Sequence, residues 1–139
     1  MIDSDILYIK KSNRSTLIYL KNNQEILVNQ VFENVLNEYC IKDLTTLDGR
    51  IKATSKVFHI KKHIPIYLSK HLVLIPTKNK KEIDNIYINC RNVIDIIKDD
   101  QITKILFSDF SSIIVNQEYH LLKRYINKGL SIHKLDESL

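Results

Sequence analysis

The chain's 139 residues, 44% hydrophobic and 27% charged, are enough to bury a core within a single domain. No apolar run approaches the ~20 residues of a membrane span. With two Gly in all there is no glycine-rich phosphate loop, and nothing resembles a nucleophile elbow, so neither catalysis nor a cofactor is expected. The net charge of +5 joins two unlike parts: residues 49–81 hold Arg50, Lys52, Lys56, Lys61, Lys62, Lys70, Lys78, Lys80 and Lys81 with no Asp or Glu, while the remainder carries more acid than base. So lopsided a distribution points to a polyanion, and nucleic acid is the commonest one.

The N-terminal Met-Ile-Asp-Ser-Asp has acid where a signal peptide needs a basic region, so a cytoplasmic chain is expected. Short apolar–polar runs then predict strands over 6–9, 16–20 and 25–28, with turns at 12–15 and 22–23. Val31, Phe32, Val35, Leu36 and Tyr39 make a helical stripe, roughly 30–40, for which Asn29 can serve as cap. Cys40, with Cys90 later, is expected to be reduced and buried.

Leu44, Leu47, Ile51, Ser55 and Phe58 share one helical face, which predicts a helix over about 46–59 with Thr45 or Thr46 as cap and Asp48 in its first turn. Lys52, Lys56 and His59 fall on a second face and Arg50 on a third. Pro65 bars helix. Strands follow at 64–68, 71–75 and 86–89, the last two joined by a polar loop with Lys78, Asn79, Lys80 and Lys81. His59 and His63 have the spacing of a helical zinc pair, but Pro65 ends the helix and neither cysteine has a near partner, so no metal is expected.

A shift of 87 lays residues 6–39 on 93–126 without a gap. Eight positions are identical, among them Thr16/Thr103 and the run Val-Asn-Gln before each helical stripe. Units 5–40 and 92–127 thus read as a strand-strand-strand-helix duplication flanking the basic segment 44–91. The second stripe is Tyr119, Leu122, Tyr125 and Ile126; both stripes are expected in the core, with dimerisation as the alternative for an exposed one. The tail after Gly129 is expected to fray. The predicted fold is α+β and strand-rich, with antiparallel strands in two short sheets or one bent sheet and about three helices, all in one domain, 1–139.

Within the basic segment Lys52, Lys56, Lys61 and Lys62 are the candidate phosphate contacts, together with Lys78, Lys80 and Lys81 in the loop. Arg50, the only arginine of the acid-free run, is the candidate for a narrow, electronegative minor groove. Asn79 and Asn89 can face the A·T acceptors there, or Asn89 can form a turn.

Cys40, then Gly49-Arg50 with Ala53, Lys62 before Pro65-Ile66, Leu74-Ile75-Pro76-Thr77, Ile86-Tyr87-Ile88-Asn89, and the strand pair 103–107 and 113–115 before a helix with Tyr119 occur in an order that resembles the ComK family over about residues 40–125. These are competence transcription factors of low-GC Gram-positive bacteria. The resemblance implies activation of DNA-uptake genes by binding AT-rich boxes of double-stranded DNA, largely through the minor groove, as multimers on paired sites and in concert with the transcription machinery. The chain is shorter than better-known members, has fewer cysteines, and has Tyr87 where they have Trp; a diverged second ComK paralogue fits as well. The N-terminal strand is also similar to LytTR-type DNA-binding domains. The alternatives are a non-enzymatic protein-interaction or regulatory module and an RNA-binding domain, the latter calling for exposed aromatics where the acid-free run 49–81 holds only Phe58 and Tyr67, both at apolar-pattern positions.

Overall fold

The computed structural model of the chain describes residues 2–78 and 84–137. Nine strands and three α-helices are present among them: β1 (Ile6–Lys11), β2 (Thr16–Leu20), β3 (Gln24–Val28), α1 (Phe32–Ile41), α2 (Leu47–Phe58), β4 (Ile66–Ser69), β5 (Leu72–Pro76), β6 (Ile86–Asn89), β7 (Val93–Asp99), β8 (Ile102–Phe107), β9 (Ser112–Val115) and α3 (Tyr119–Glu137). The α+β, antiparallel expectation holds, with two sheets rather than one bent one. The larger has six strands in the order β3-β2-β1-β6-β5-β4, and the smaller three in the order β7-β8-β9.

The six-stranded sheet is buried on both faces along β5, which is why Leu72–Pro76 is uniformly apolar instead of alternating. Leu72 and Leu74 point into one core with Ile9, Ile18, Phe32, Leu36 and Leu47, beneath α1 and α2. Val73 and Ile75 point into the other with Ile105, Phe107, Leu122 and Ile126, where α3 packs on both sheets. Gly129 permits that close approach. A Cβ there would lie 2.4 Å from Ile75 Cδ1 and 3.0 Å from Cys90 Sγ, so a glycine is tolerated in mid-helix despite its propensity cost of about 1 kcal/mol. Cys40 and Cys90 are both buried and free.

The repeat seen in the sequence is repeated in the hydrogen-bonded register. Thr16↔Val28 and Ile18↔Ile26 recur, 87 residues on, as Thr103↔Val115 and Ile105↔Ile113. The bulge between Ile6 and Tyr8 recurs between Val93 and Asp95. Thr16 Oγ1 donates to Gln30 O at 2.9 Å, and Thr103 Oγ1 to Gln117 O at 2.7 Å, which explains why a threonine sits fully buried at both places. The units also touch at equivalent turns, where Asn22 N donates to Asp109 Oδ2 at 3.1 Å.

Some local expectations are corrected. Asn29 does not cap α1; Val31 holds the N-cap position with extended backbone and no side-chain bond. At the start of α3 it is the Glu118 carboxylate that accepts from His120 N and Leu121 N. Leu44 lies outside α2, exposed and with positive φ, because α2 begins at Leu47 under a Thr46 cap that accepts from Gly49 N. The tail does not fray at Gly129; α3 continues to Glu137.

Candidate nucleic-acid interface

The strand registers gather the cations that sequence order scatters. Lys10 pairs with Ile86, Pro76 with Tyr87, and Ile66 with Leu74. The β1–β2 turn at 12–15, the 77–85 connection and the 61–65 segment entering β4 therefore share one end of the six-stranded sheet. That end carries Lys10, Arg14, Lys61 and Lys62, all exposed, and half-buried Lys78. Lys10 and Arg14 escaped sequence reasoning because they lie outside the acid-free run; only the β1–β6 pairing brings them alongside it. Asn85, buried and equally unremarked, fixes the base of the connection. Its Oδ1 accepts from Lys78 N at 3.0 Å and its Nδ2 donates to Lys78 O at 3.1 Å.

The candidates from the basic segment divide into several groups. Lys52, Lys56, Lys61 and Lys62 are exposed, with Lys52 in an i,i+4 pair with Asp48 at 2.9 Å. Such an exposed pair contributes well under about 1 kcal/mol and does not hold the ammonium back from another anion. Lys78 pairs with Asp84 at 3.2 Å. Asn79, Lys80 and Lys81 lie outside the described residues.

Arg50 and Asn89 are placed differently from the other candidates, and for Asn89 the turn alternative holds, its Oδ1 accepting from Arg91 N at 3.3 Å at the start of a short 3-10 turn. The guanidinium of Arg50, 16% exposed, donates to Tyr67 O at 3.0 Å, Leu68 O at 2.9 Å and Asp43 Oδ2 at 3.0 Å. It ties α2 to the β4 backbone, and its carboxylate partner stands just before the acid-free run, where a charge count over that run misses it. A groove-reading arginine has to present those N–H groups to DNA. Arg50→Ala is therefore expected to lower unfolding free energy by about 1–3 kcal/mol, since it removes the guanidinium's hydrogen bonds to two β4 carbonyls and to Asp43. Chemical denaturation measures that loss, and the AT-to-GC binding ratio of the folded fraction should be unchanged. Asn89 is 0% exposed and brackets the core. Its amide donates to Ile6 O (2.8 Å) and His71 O (3.0 Å) and accepts from Val73 N (3.1 Å).

A cleft of about 450 Å³ opens at the cationic end. Phe32, Leu47, Ile51, Ile66 and Tyr87 form its apolar part, with Lys61, Lys62, Lys78 and Glu33 among its polar lining. Phe32 and Tyr87 stack at 4.1 Å, and burial pushes the Tyr87 phenol up to about 12. Tyr87 thus serves the core. Lys11 is not part of the free charge here: it pairs with Glu33 at 2.5 Å and lies over the Phe32 ring.

His63, also on the cleft wall, stacks on Tyr125 at 4.2 Å and so links the segment before β4 to α3. Burial holds its pKa below the usual 6.5, and Lys128 and Lys62 push the same way against a hydrogen bond to Pro76. Because the folded pKa is depressed, the unfolded chain binds the proton more readily. The stability that neutral His63 contributes is complete above about pH 6.5 and is lost as pH falls through that value toward the folded pKa. Urea midpoints between pH 7.5 and 5.5 are expected to fall more steeply in the wild type than in His63→Phe, which keeps a ring and cannot titrate.

Taken together, the two sheets and three helices define an α+β binding domain with one strongly cationic end. The family model described as ComK protein matches residues 5–136, nearly the whole chain, and the chain belongs to the ComK family. That family consists of competence transcription factors. Searches of curated proteins and of solved structures returned no match. Among the described residues, no helix is long and apolar enough to cross a membrane.

Proposed function

We propose that this chain is a sequence-specific DNA-binding activator of DNA-uptake genes, acting in the cytoplasm without a cofactor and reading AT-rich double-stranded sites through the minor groove. The observation that carries the reading is the convergence of separate chain segments on one end of the large sheet, where the β1–β2 hairpin brings exposed Lys10 and Arg14, the segment before β4 brings exposed Lys61 and Lys62, and half-buried Lys78 stands beside them. Folding does not ask for like charges to be gathered there; a polyanion does. Lys10, Lys52, Lys56, Lys61 and Lys62 neutralise phosphates, aided by Lys78 and by Asn79, Lys80 and Lys81 of the connecting loop. With Arg50 committed to β4, the groove-reading role passes to Arg14, exposed at the tip of the β1–β2 turn. Arginine at a protruding tip suits the enhanced negative potential of a narrow A-tract groove. Multimers on paired sites and contact with the transcription machinery complete the reading.

The test is a binding titration on AT-rich and GC-rich duplexes at two salt concentrations. Affinity is expected to fall steeply with salt and to favour the AT-rich duplex, and Arg14→Ala to reduce that preference. No nucleic-acid binding at low salt would leave a protein-interaction module instead, and a preference for single-stranded RNA would overturn the duplex assignment.

A further inference from the structure

The cleft at the cationic end has the size and lining of a small-molecule site. Such sites commonly enclose about 300–1,000 Å³ and are mostly apolar, with a few polar groups that fix orientation. This one, of about 450 Å³, has Ile51, Ile64, Ile66 and the stacked Phe32–Tyr87 pair on its apolar side, and Lys61, Lys62 and His63 on the same lining. Its walls come from α1, α2, the segment before β4 and the adjacent strands β4, β5 and β6. The core holds those elements in place, so the cleft belongs to the fold and not to a loop tip.

The charges on that lining are not equivalent. Glu33, its one carboxylate among the described residues, is already met by Lys11 at 2.5 Å, and Lys78 by Asp84 at 3.2 Å. Lys61 and Lys62 are exposed and have no ion-pair partner among the described residues. His63 adds an unmet group: its Nδ1 is buried with no hydrogen-bond partner of good geometry among them. Orphaned buried polar atoms are uncommon in folded chains. The cleft therefore sets two uncommitted ammonium groups beside an apolar floor. A neutral ligand leaves that charge unused, and a small inorganic anion leaves the apolar surface unused.

We infer that the cleft is a binding site for a small amphiphilic anion, an aliphatic chain bearing one carboxylate or phosphate head, with the chain against Ile51, Ile64 and Ile66 and the head at Lys61 and Lys62. Burial of the chain supplies most of the affinity, at about fourfold per methylene removed from water. The two lysines supply the selectivity for charge, and as point charges they accept either head. A head held there occupies two of the cations that the DNA reading assigns to phosphate contacts, so ligand and duplex compete for them. The site itself stands apart from that reading; only the competition rests on it.

Decanoate is the probe, with decanol as its neutral counterpart and acetate as its head alone. Titration calorimetry on the DNA-free chain, below the concentration at which decanoate forms micelles, is expected to show saturable decanoate binding about fivefold or more tighter than decanol, and no binding of acetate in the same range. Lys61→Ala combined with Lys62→Ala is expected to weaken decanoate by about fivefold and leave decanol unchanged. Lys104→Ala, exposed on β8 and outside the lining, should alter neither. Methyl NMR locates the ligand: the resonances of Ile51, Ile64 and Ile66 shift with decanoate, while that of Ile114, exposed on the small sheet, stays. Absence of decanoate binding overturns the inference. So does equal affinity for decanoate and decanol, indifference to the lysine pair, or methyl shifts as large at Ile114 as at Ile64. In the duplex titration, saturating decanoate is expected to raise the Kd for DNA, and an unchanged Kd overturns the competition. A chain that takes decanoate as expected and binds no duplex refutes the DNA reading and leaves the cleft assignment standing.

Discussion

Replacing Lys10, Lys61 and Lys62 together by Ala is expected to lower the slope of log K against log[salt] by nearly three units, at ~0.9 per phosphate contact on duplex DNA. All duplexes should weaken alike, since phosphate contacts carry no sequence information. Thermal stability should scarcely move, because exposed substitutions of this kind usually change it by less than about 0.5 kcal/mol each. The three residues come from two segments far apart in sequence, β1 and the stretch before β4, that the sheet brings to one end. The triple variant thus tests the assembled site rather than the basic run. Lys52→Ala and Lys56→Ala in the same assay measure how far along α2 the contact extends. An unchanged slope in the triple variant, measured on folded protein, would mean that these lysines are a solvated surface and that DNA binding has to be sought elsewhere.

Asn89→Asp is expected to be the most destabilising single substitution considered. The change is isosteric, but it sets a carboxylate against the Ile6 and His71 carbonyls that the amide now serves, in a site with no solvent exposure. His71 O loses its donor at about 1–3 kcal/mol, Ile6 O keeps only the one from Asn92 Nδ2 at 2.7 Å, and a buried charge set against both carbonyls adds to that. A loss of about 3 kcal/mol or more should follow, a fall in Tm of roughly 10 °C for a chain of this size. Asn89→Ala removes the bracket without the charge and should fall short of that loss. A calorimetric melt distinguishes this core role from a DNA-facing one, which predicts native stability and weakened binding.

Arg14 and Arg50 show how differently residues of one type are settled. By sequence, Arg50 stands in the acid-free run and Arg14 in an ordinary turn. Folding reverses their availability: Arg50 is drawn against β4 and Asp43, while the β1–β2 hairpin lifts Arg14 into solvent at the end where Lys61 and Lys62 emerge. A run of charge along the chain measures density. It contains nothing about which backbone carbonyls a long side chain will reach.

What the sequence by itself determined is local and periodic. Alternation located the strands, the 3.6-residue stripes located the three helices, and the 87-residue shift identified a unit whose register, bulge and buried threonine bond recur. All of these depend on a residue's neighbours within a few positions, or on copying the same neighbours twice. Family membership was legible for the same reason, through ordered short motifs. Only the tertiary structure decided that β6 inserts beside β1, that Asn89 is buried, and that β3 is left as an open edge. Those outcomes depend on strands paired across as many as eighty residues, where many pairings satisfy the same hydrophobic pattern and the choice is made by which one buries both faces of β5 at once.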